Sequence, residues 1–247
     1  MSAKWSVGMG LLVVAFVAAA GDKAAEPVRF YANARVVLDA QGVPQEVQAN
    51  EKLPPAVRGV IEQRVLQWRF EPARIDGEAK AGVTYVFLDA CALPLPDGGM
   101  RMALDYRSNG PALAQDALIA SPPLYPAAAV RAGREGSFRV VINVGKDGAA
   151  TVGRIETRTG SLKSFEKTLR DWVAAMRYVP EQVGGMPIAT QLAMPVDFML
   201  EGESMRRWVR EDRERAAQSH GCRAVAADPD PQRPVVLDSP FKPRETG

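Results

Sequence analysis

The stretch SFRVVINVGKDGAATVGRIETRTG, residues 137–160, decides the fold of this chain. Its first part, residues 138–144, has apolar side chains at alternate positions, as a half-buried β-strand does. Asp147 and Gly148 then supply a tight turn, because this pair favours the left-handed backbone geometry of a hairpin. Residues 151–158 contain several β-branched side chains and predict the returning strand. The stretch therefore predicts an antiparallel β-hairpin.

A helix and a long last strand follow this hairpin. Ser161 is a suitable N-cap for a helix over residues 161–176, and Pro180 prevents the helix from continuing. Apolar residues at alternate positions from Ile188 to Leu200 then predict the last strand. The order of elements is therefore β-β-α-β. The apolar face of the predicted helix consists of Leu162, Phe165, Leu169, Trp172, Val173 and Met176.

An earlier part of the chain repeats this pattern. The segment ARVVLDAQGVPQEVQ, residues 34–48, corresponds to the hairpin, and WRFEPARIDGEAKAGVTYVFL, residues 68–88, corresponds to the end of the helix and the last strand. We interpret the pattern as an internal duplication, because two copies are fewer than the roughly three that a stacked repeat array needs. The matched pairs, 106 or 108 residues apart, are Gly42 with Gly148, Arg69 with Arg177, Pro72 with Pro180 and Gly77 with Gly185.

Each copy is expected to fold as an α+β unit, with one helix packed on one face of a three-stranded antiparallel sheet. In the first copy the helix is predicted near residues 54–68. The residues predicted to face the core there are Phe30, Ala32, Ala34, Val36 and Leu38 on the first strand, Val57, Val60, Ile61, Val65 and Trp68 on the helix, and Val83, Tyr85 and Phe87 on the last strand.

Composition excludes several classes of function. Of the 247 residues, 31 are Lys or Arg and 29 are Asp or Glu, and this balance argues against a protein that binds nucleic acid through bulk positive charge. The single histidine, His220, and two cysteines are too few for a structural zinc site of four ligands. We recognise no Gly-rich phosphate loop or nucleophile motif, so no catalytic residues, cofactor, metal or small-molecule substrate is predicted.

The N-terminus predicts export from the cytoplasm. Residues 7–20 are uncharged and mostly apolar, but they are fewer than the roughly 20 residues that a bilayer-spanning helix needs. Ala18, Ala19 and Ala20 supply small residues for cleavage, so residues 1–20 are expected to be a signal peptide. The alternative is an uncleaved anchor that holds the chain in the inner membrane, facing the periplasm. In an oxidising compartment Cys91 and Cys222 are expected to form a disulfide.

Composition also divides the chain into segments. The first unit covers residues 26–90, and residues 91–121 form a linker. The second unit covers residues 122–202, a charged helix follows at residues 203–221, and residues 222–247 form a Pro-rich tail that is expected to be extended or disordered. Within the linker, an extra strand that packs on the core is suggested by alternation at Met100, Met102, Leu104 and Tyr106.

The second unit resembles the C-terminal domain of the TonB family of energy transducers. The motifs that carry the resemblance, in order, are Pro123-Leu124-Tyr125-Pro126-Ala127, Gly133-Arg134-Glu135-Gly136, Arg177-Tyr178-Val179-Pro180 and Met194-Pro195-Val196-Asp197-Phe198. The first unit resembles the same domain only in part, at Trp68-Arg69-Phe70-Glu71-Pro72-Ala73 and Asp76-Gly77.

The resemblance implies a periplasmic protein that captures a short receptor segment as an added strand beside its last strand. The residues give an independent reason for this mode: Pro195 cannot donate to a ladder, so its strand is expected at a sheet edge. An edge exposes backbone groups that another chain can pair with. The predicted partner-binding residues are Tyr125, Pro126, Gln191, Leu192, Ala193, Met194, Pro195 and Val196.

Two functional hypotheses follow. In the first, the protein docks a strand of a TonB-dependent outer-membrane receptor or of another envelope protein. In the second, it is a structural or accessory envelope protein that transduces no energy, and Pro195 only protects the edge against unwanted pairing. The chain departs from the family's pattern because no Pro/Lys-rich or Pro/Glu-rich spacer lies between the apolar run and the first unit.

Overall fold

A computed structural model of the chain describes residues 28–94, 100–114, 121–200, 202, 205–207, 210–211 and 235–245. The predicted signal peptide, His220, Cys222 and most of the predicted charged helix lie outside these residues. Residues 205–207 and 210–211, which belong to that charged segment, are helical. Within the described part of the chain, no helix is both long enough and apolar enough to span a membrane.

The first unit is built on an antiparallel sheet with one helix against it. Its helix begins at Pro55, where a proline is tolerated because the first N–H groups of a helix have no partner within it. Val57, Ile61 and Val65 are four residues apart and bury one face of the helix. The elements are β1 (Val28–Leu38), β2 (Pro44–Ala49), α1 (Pro55–Val65), β3 (Arg69–Glu71), β4 (Ala73–Ile75), β5 (Glu78–Lys80) and β6 (Gly82–Pro94).

The core face of β6 differs from the prediction. Val86, Leu88 and Ala90 lie in the hydrophobic core of the first unit, which we call the first core. The predicted residues Val83, Tyr85 and Phe87 point to the other face of the sheet. Opposite residues of an antiparallel pair share a face, and β6 is paired so that its even-numbered residues lie opposite the buried even-numbered alanines of β1. The prediction chose the wrong face because the odd-numbered positions of β6 include the large aromatic side chains of Tyr85 and Phe87.

The sheet of the first unit is larger than the predicted three strands. The predicted extra strand is confirmed as β7 (Met100–Gly110), which pairs antiparallel with β6. Two short strands from the second half of the chain, β12 (Gln182–Val183) and β13 (Met186–Pro187), extend the same sheet. The long β6 accommodates both neighbours, because β12 pairs at its start and β7 pairs along the remainder.

The second unit is a separate sheet with its own helix and core. Its strands lie in the order β10 (Ala150–Thr159), β9 (Gly136–Val144) and β14 (Thr190–Phe198), as predicted for the hairpin and the last strand. One further strand lies beside β14. Ser161 makes no side-chain cap, and a 3-10 turn at Leu162–Ser164 precedes the α-helix. The elements are β8 (Ala112–Leu113), α2 (Ala127–Arg131), β9 (Gly136–Val144), β10 (Ala150–Thr159), α3 (Glu166–Ala175), β11 (Tyr178–Val179) and β14 (Thr190–Phe198).

The hairpin turns of the two units make the same contact. Gly42 and Gly148 have positive φ angles of 80° and 77°. The N–H of Phe70 donates to the carbonyl of Gly42 at 3.0 Å, and the N–H of Tyr178 donates to the carbonyl of Gly148 at 2.9 Å. A Cβ atom on either glycine would lie 2.0 Å from the carbonyl oxygen of the same partner. Glycine is therefore required at both turns, while the internal duplication itself stays a hypothesis.

The end of the chain crosses both units. Its first short strand, β15 (Val235–Val236), pairs with β14 of the second unit. Its second, β16 (Lys242–Glu245), pairs with β3 of the first unit. Between them, Phe241 is 1% exposed and belongs to the first core. The prediction of an extended or disordered tail therefore missed that residues 235–245 are ordered by both sheets; residues 222–234 lie outside the described part.

Candidate partner-binding edge

The last strand of the second unit is held by the core beneath it. Leu192, Met194, Val196 and Phe198 are buried and belong to the second core. One side of β14 pairs antiparallel with β9 along its whole length. The other side, which we call the outer edge, determines what else the strand can bind.

The backbone of Gln191 points toward the outer edge. Its carbonyl accepts a hydrogen bond from the N–H of Leu237 at 2.9 Å, and its N–H donates to the carboxylate of Asp238 at 2.6 Å. Backbone direction alternates along an antiparallel strand. The backbone groups of Ala193, Pro195 and Asp197 therefore also point outward, and those of Leu192, Met194 and Val196 point toward β9.

Pro195 is placed where its missing N–H costs no bond within the sheet. Its backbone faces outward, although the residue lies opposite Arg139 in the β9–β14 register. At this position the outer edge offers only a carbonyl, and two residues farther on Asp197 offers both an N–H and a carbonyl. This arrangement agrees with the rule that prolines within sheets occupy edge strands.

The chain's own end covers part of the outer edge. Leu192 lies opposite Val236 and Ala193 lies opposite Val235. Gln191, Leu192 and Ala193, three of the predicted binding residues, are therefore engaged by the chain itself. Beside Met194, Pro195 and Val196, the described residues place no strand on the outer side.

Tyr125 and Pro126 lie at the other end of β14. The ring of Tyr125 packs edge-on against Phe198 at 5.3 Å between centroids and against Phe165 at 5.9 Å. Its hydroxyl donates to the carbonyl of Arg134 at 2.6 Å. Burial, with a contribution from the charge of Glu135, raises the pKa of the Tyr125 hydroxyl.

Pro126 precedes α2 and accepts the N–H of Ala129 at 2.9 Å. Phe198 is seven residues from Gln191, about 23 Å along an extended strand. The predicted site residues therefore do not form one cluster: Tyr125 and Pro126 fix the segment that enters the domain, and residues 191–196 form the edge.

Three residues that belong to this edge were not among the predicted binding residues. Asp197 follows Pro195 by two positions, and the two-residue period of a strand was a sufficient signal to include it. Leu237 and Asp238 contact Gln191 from a Pro-rich tail, and that composition contained no signal for a paired strand. Within the described residues, no three His, Cys, Asp or Glu side chains are grouped as a metal site would require.

The predicted disulfide falls partly outside the described residues. Cys91 lies on β6, is buried, and is not a free thiol. Cys222 lies outside the described part of the chain. The bridge between the two cysteines therefore stays a prediction.

Comparison with known families identifies the second unit. Residues 121–200 match the family described as Gram-negative bacterial TonB protein C-terminal. Residues 121–200 are thus similar to a TonB C-terminal domain. The match runs from just before α2 to just after β14, so it confirms the resemblance for the second unit and leaves the first unit outside.

The family places the protein in a broad functional class. TonB C-terminal domains are non-enzymatic domains for protein interaction and energy transduction, and they are associated with the cell envelope. They interact with outer-membrane receptors and other envelope proteins. No curated protein matches the chain.

Proposed function

We propose that the TonB C-terminal-like domain of this chain docks an extended segment of an envelope partner, such as a TonB-dependent outer-membrane receptor, along the outer edge of β14. The observation that carries the proposal is the outward direction of the backbone at Ala193, Pro195 and Asp197 on a strand whose other side is fully paired. A docked segment would gain affinity from backbone pairing and specificity from side chains beside the strand. Pro195 is half-buried and Asp197 is exposed, so both are available to influence which sequences bind.

The location of the domain in the cell envelope depends on whether residues 1–20 are removed. Removal of residues 1–20 would release the domain into the periplasm, where receptor segments are accessible from the inner side of the outer membrane. A retained N-terminus would instead hold the domain at the inner membrane. Cell fractionation and sequencing of the mature N-terminus distinguish these two arrangements.

A second function is supported by a separate observation. Strands join the two units at two points: β12, from the second half of the chain, pairs with β6, and the end of the chain pairs with β14 through β15 and with β3 through β16. An accessory envelope protein that transduces no energy would need this kind of rigid connection and no free edge. In that case the covered part of β14 would be a purely structural contact.

The test replaces one outward donor of β14. Asp197→Pro removes an N–H that points to the outer edge, whereas Asp197→Ala keeps it and serves as the matched control. One hydrogen bond contributes about 0.5–1.5 kcal/mol, so Asp197→Pro should weaken binding of synthetic peptides from the periplasmic segments of outer-membrane receptors about two- to tenfold. Equal affinity of the two variants, measured by fluorescence anisotropy, would favour the structural alternative.

A further inference from the structure

The end of the chain contacts β14 in the way that a docked partner would. Val235 and Val236 lie opposite Ala193 and Leu192 in an antiparallel ladder. The N–H of Leu237 continues this ladder to the carbonyl of Gln191. These are backbone contacts at an edge, the same contacts that strand addition uses. We call residues 235–245 the C-terminal strap.

The ladder ends at Gln191, where a side-chain acceptor takes the place of a backbone carbonyl. Asp238 takes the N–H of Gln191 on its carboxylate instead of on a backbone carbonyl. Among the described residues, the strap therefore pairs with a short part of the outer edge, at the start of β14. A short ladder contributes little binding free energy by itself, so another feature must keep it in place.

That feature is an anchor in the first unit. The Phe241 side chain is buried against Gly82, where a Cβ atom would lie 2.3 Å from the ring. Asn109 donates to the carbonyl of Phe241 at 2.8 Å and to the hydroxyl of Ser239 at 2.7 Å. β16 then pairs with β3 beyond the anchor.

Glu181 connects the anchor to the second half of the chain. Its side chain is fully buried. Its Oε1 accepts hydrogen bonds from the hydroxyl of Thr84 at 2.6 Å and from the hydroxyl of Ser239 at 2.7 Å. Thr84 belongs to the first unit, Glu181 to the chain between α3 and β14, and Ser239 to the strap. The strap is thus tethered one residue beyond Asp238, and a short tether gives a segment a high effective concentration beside its site.

We propose that the C-terminal strap is an intramolecular competitor strand that occupies the start of the outer edge of β14 and must release residues 235–238 before a partner segment can pair along the full edge. The proposal rests on the proposed docking function. Because the ladder is short and the anchor is separate, release needs only the contacts at Gln191, Leu192 and Ala193 to break, while Phe241 stays buried. The competitor therefore lowers partner affinity without unfolding either unit.

The experiment uses the full chain and a labelled peptide with the strap's own sequence, RPVVLDS, residues 233–239. Leu237→Pro removes the N–H that donates to Gln191 and keeps the Phe241 anchor. Val236→Pro is the matched control, because the alternating backbone directs its N–H away from β14. Asp238→Ala is a second variant, which removes only the side-chain contact and adds no proline strain.

Two quantities are measured: binding of the peptide and hydrogen exchange of the outward-pointing backbone amides of Gln191 and Ala193. Leu237→Pro should bind the peptide about tenfold more tightly than the wild type, which corresponds to loss of roughly one hydrogen bond of competition. The amides of its Gln191 and Ala193 should also exchange faster. Asp238→Ala should change both quantities in the same direction, and Val236→Pro should match the wild type.

Two other outcomes overturn the proposal in different ways. If neither exchange nor peptide binding changes in Leu237→Pro and Asp238→Ala, the strap does not cover this edge, and docking of receptor peptides is unaffected. If exchange becomes faster but neither the strap peptide nor receptor peptides bind to any variant, the edge accepts no added strand. In that case the docking function fails together with the competitor.

Discussion

The last strands of the two units, β6 and β14, share a place in the fold and differ in what covers their outer edges. The outer edge of β6 is paired with β12 at Gly82 and Val83 and with β7 from Tyr85 to Pro94. In the part of the chain that the structure describes, the outer edge of β14 is paired with β15 at Leu192 and Ala193. The same β-β-α-β order therefore leads to a fully covered edge in one unit and to a partly covered edge in the other.

The difference lies in how far along the chain the covering strand comes from. β7 follows β6 after a short connection, so closing that loop costs little entropy. β15 lies about 40 residues after β14, and its position depends on the anchor at Phe241. The family match coincides with the unit whose edge is covered by the segment that we propose to be displaceable. A closed edge suits a supporting role, and a displaceable cover suits exchange of strands.

The largest expected effect is that of removing the Phe241 side chain, which tests whether this residue anchors the strap in the first unit. Phe241→Ala removes a buried ring from the first core and should cost about 3–5 kcal/mol of stability there. Faster hydrogen exchange should appear on β1 and β6, while β9 and the β9-paired amides of β14 keep their protection. Lys242→Ala, at an exposed neighbouring residue, is the control and should change neither. An unchanged first unit in Phe241→Ala would mean that the anchor does not hold the strap.

The second prediction concerns what the two units share. Gly42→Ala and Gly148→Ala would each place a Cβ atom 2.0 Å from a backbone carbonyl oxygen and also strain a positive φ angle. Each should lower the free energy of unfolding by about 2–5 kcal/mol, which combines about 1–2 for the left-handed conformation with about 1–3 for the overpacked contact, and the two losses should be similar. Gly77→Ala is the control: its φ of 81° is equally strained, but no atom lies within 4 Å of the new Cβ.

The measurement is the denaturation midpoint of each variant. Gly77→Ala should lose only about 1–2 kcal/mol, which is the cost of the left-handed conformation alone. If Gly42→Ala and Gly148→Ala differ strongly from each other, the two turns do not play equivalent roles. Such a result would weaken the hypothesis of duplication.

Local patterns in the sequence predicted the elements of both units, and long-range pairings limited the rest. The alternation of residues 138–144 and the Asp147-Gly148 turn are properties of neighbouring residues, and the structure contains that hairpin. The face of β6 depended on its register against β1, which the strand's own residues do not encode when aromatic side chains lie on the face opposite the core of the first unit.

The candidate site shows the same limit. Pro195 indicated an edge strand, because a missing N–H is a property of one residue. The pairing of Leu237 and Asp238 with Gln191 joins residues more than 40 positions apart. Neither composition nor periodicity of the tail reports such a pairing, since a strand that is paired over two residues has no repeating pattern.

The smallest expected effect depends on pH and concerns the anchor of the strap. Burial is the main cause that raises the pKa of Glu181 above its ordinary value of 4.5, and the charge of Asp238 adds to it; hydrogen bonds from Thr84, Ser239 and Asn109 act in the opposite direction. The charged and titratable groups that face Glu181 are Asp238 on the strap and the hydroxyl of Tyr106 on β7. Within the described part of the chain, the groups that shift this pKa include no cation.

The sign of the effect follows from the raised pKa. The closed anchor favours the protonated carboxyl of Glu181. The contribution of Glu181 to the stability of the closed strap is therefore fully present below the pKa that this carboxyl has in the unfolded chain, and it is lost as the pH rises through the higher pKa of the folded protein. Raising the pH from 4.5 should therefore loosen the strap, and the amides of Gln191 and Ala193 should become less protected after correction for intrinsic exchange. Glu181→Gln keeps the shape and the acceptor oxygen but cannot ionise, so its protection should stay constant over the same range. A wild type whose protection is as independent of pH as that of Glu181→Gln would show that ionisation of this buried carboxyl has no influence on the edge of β14.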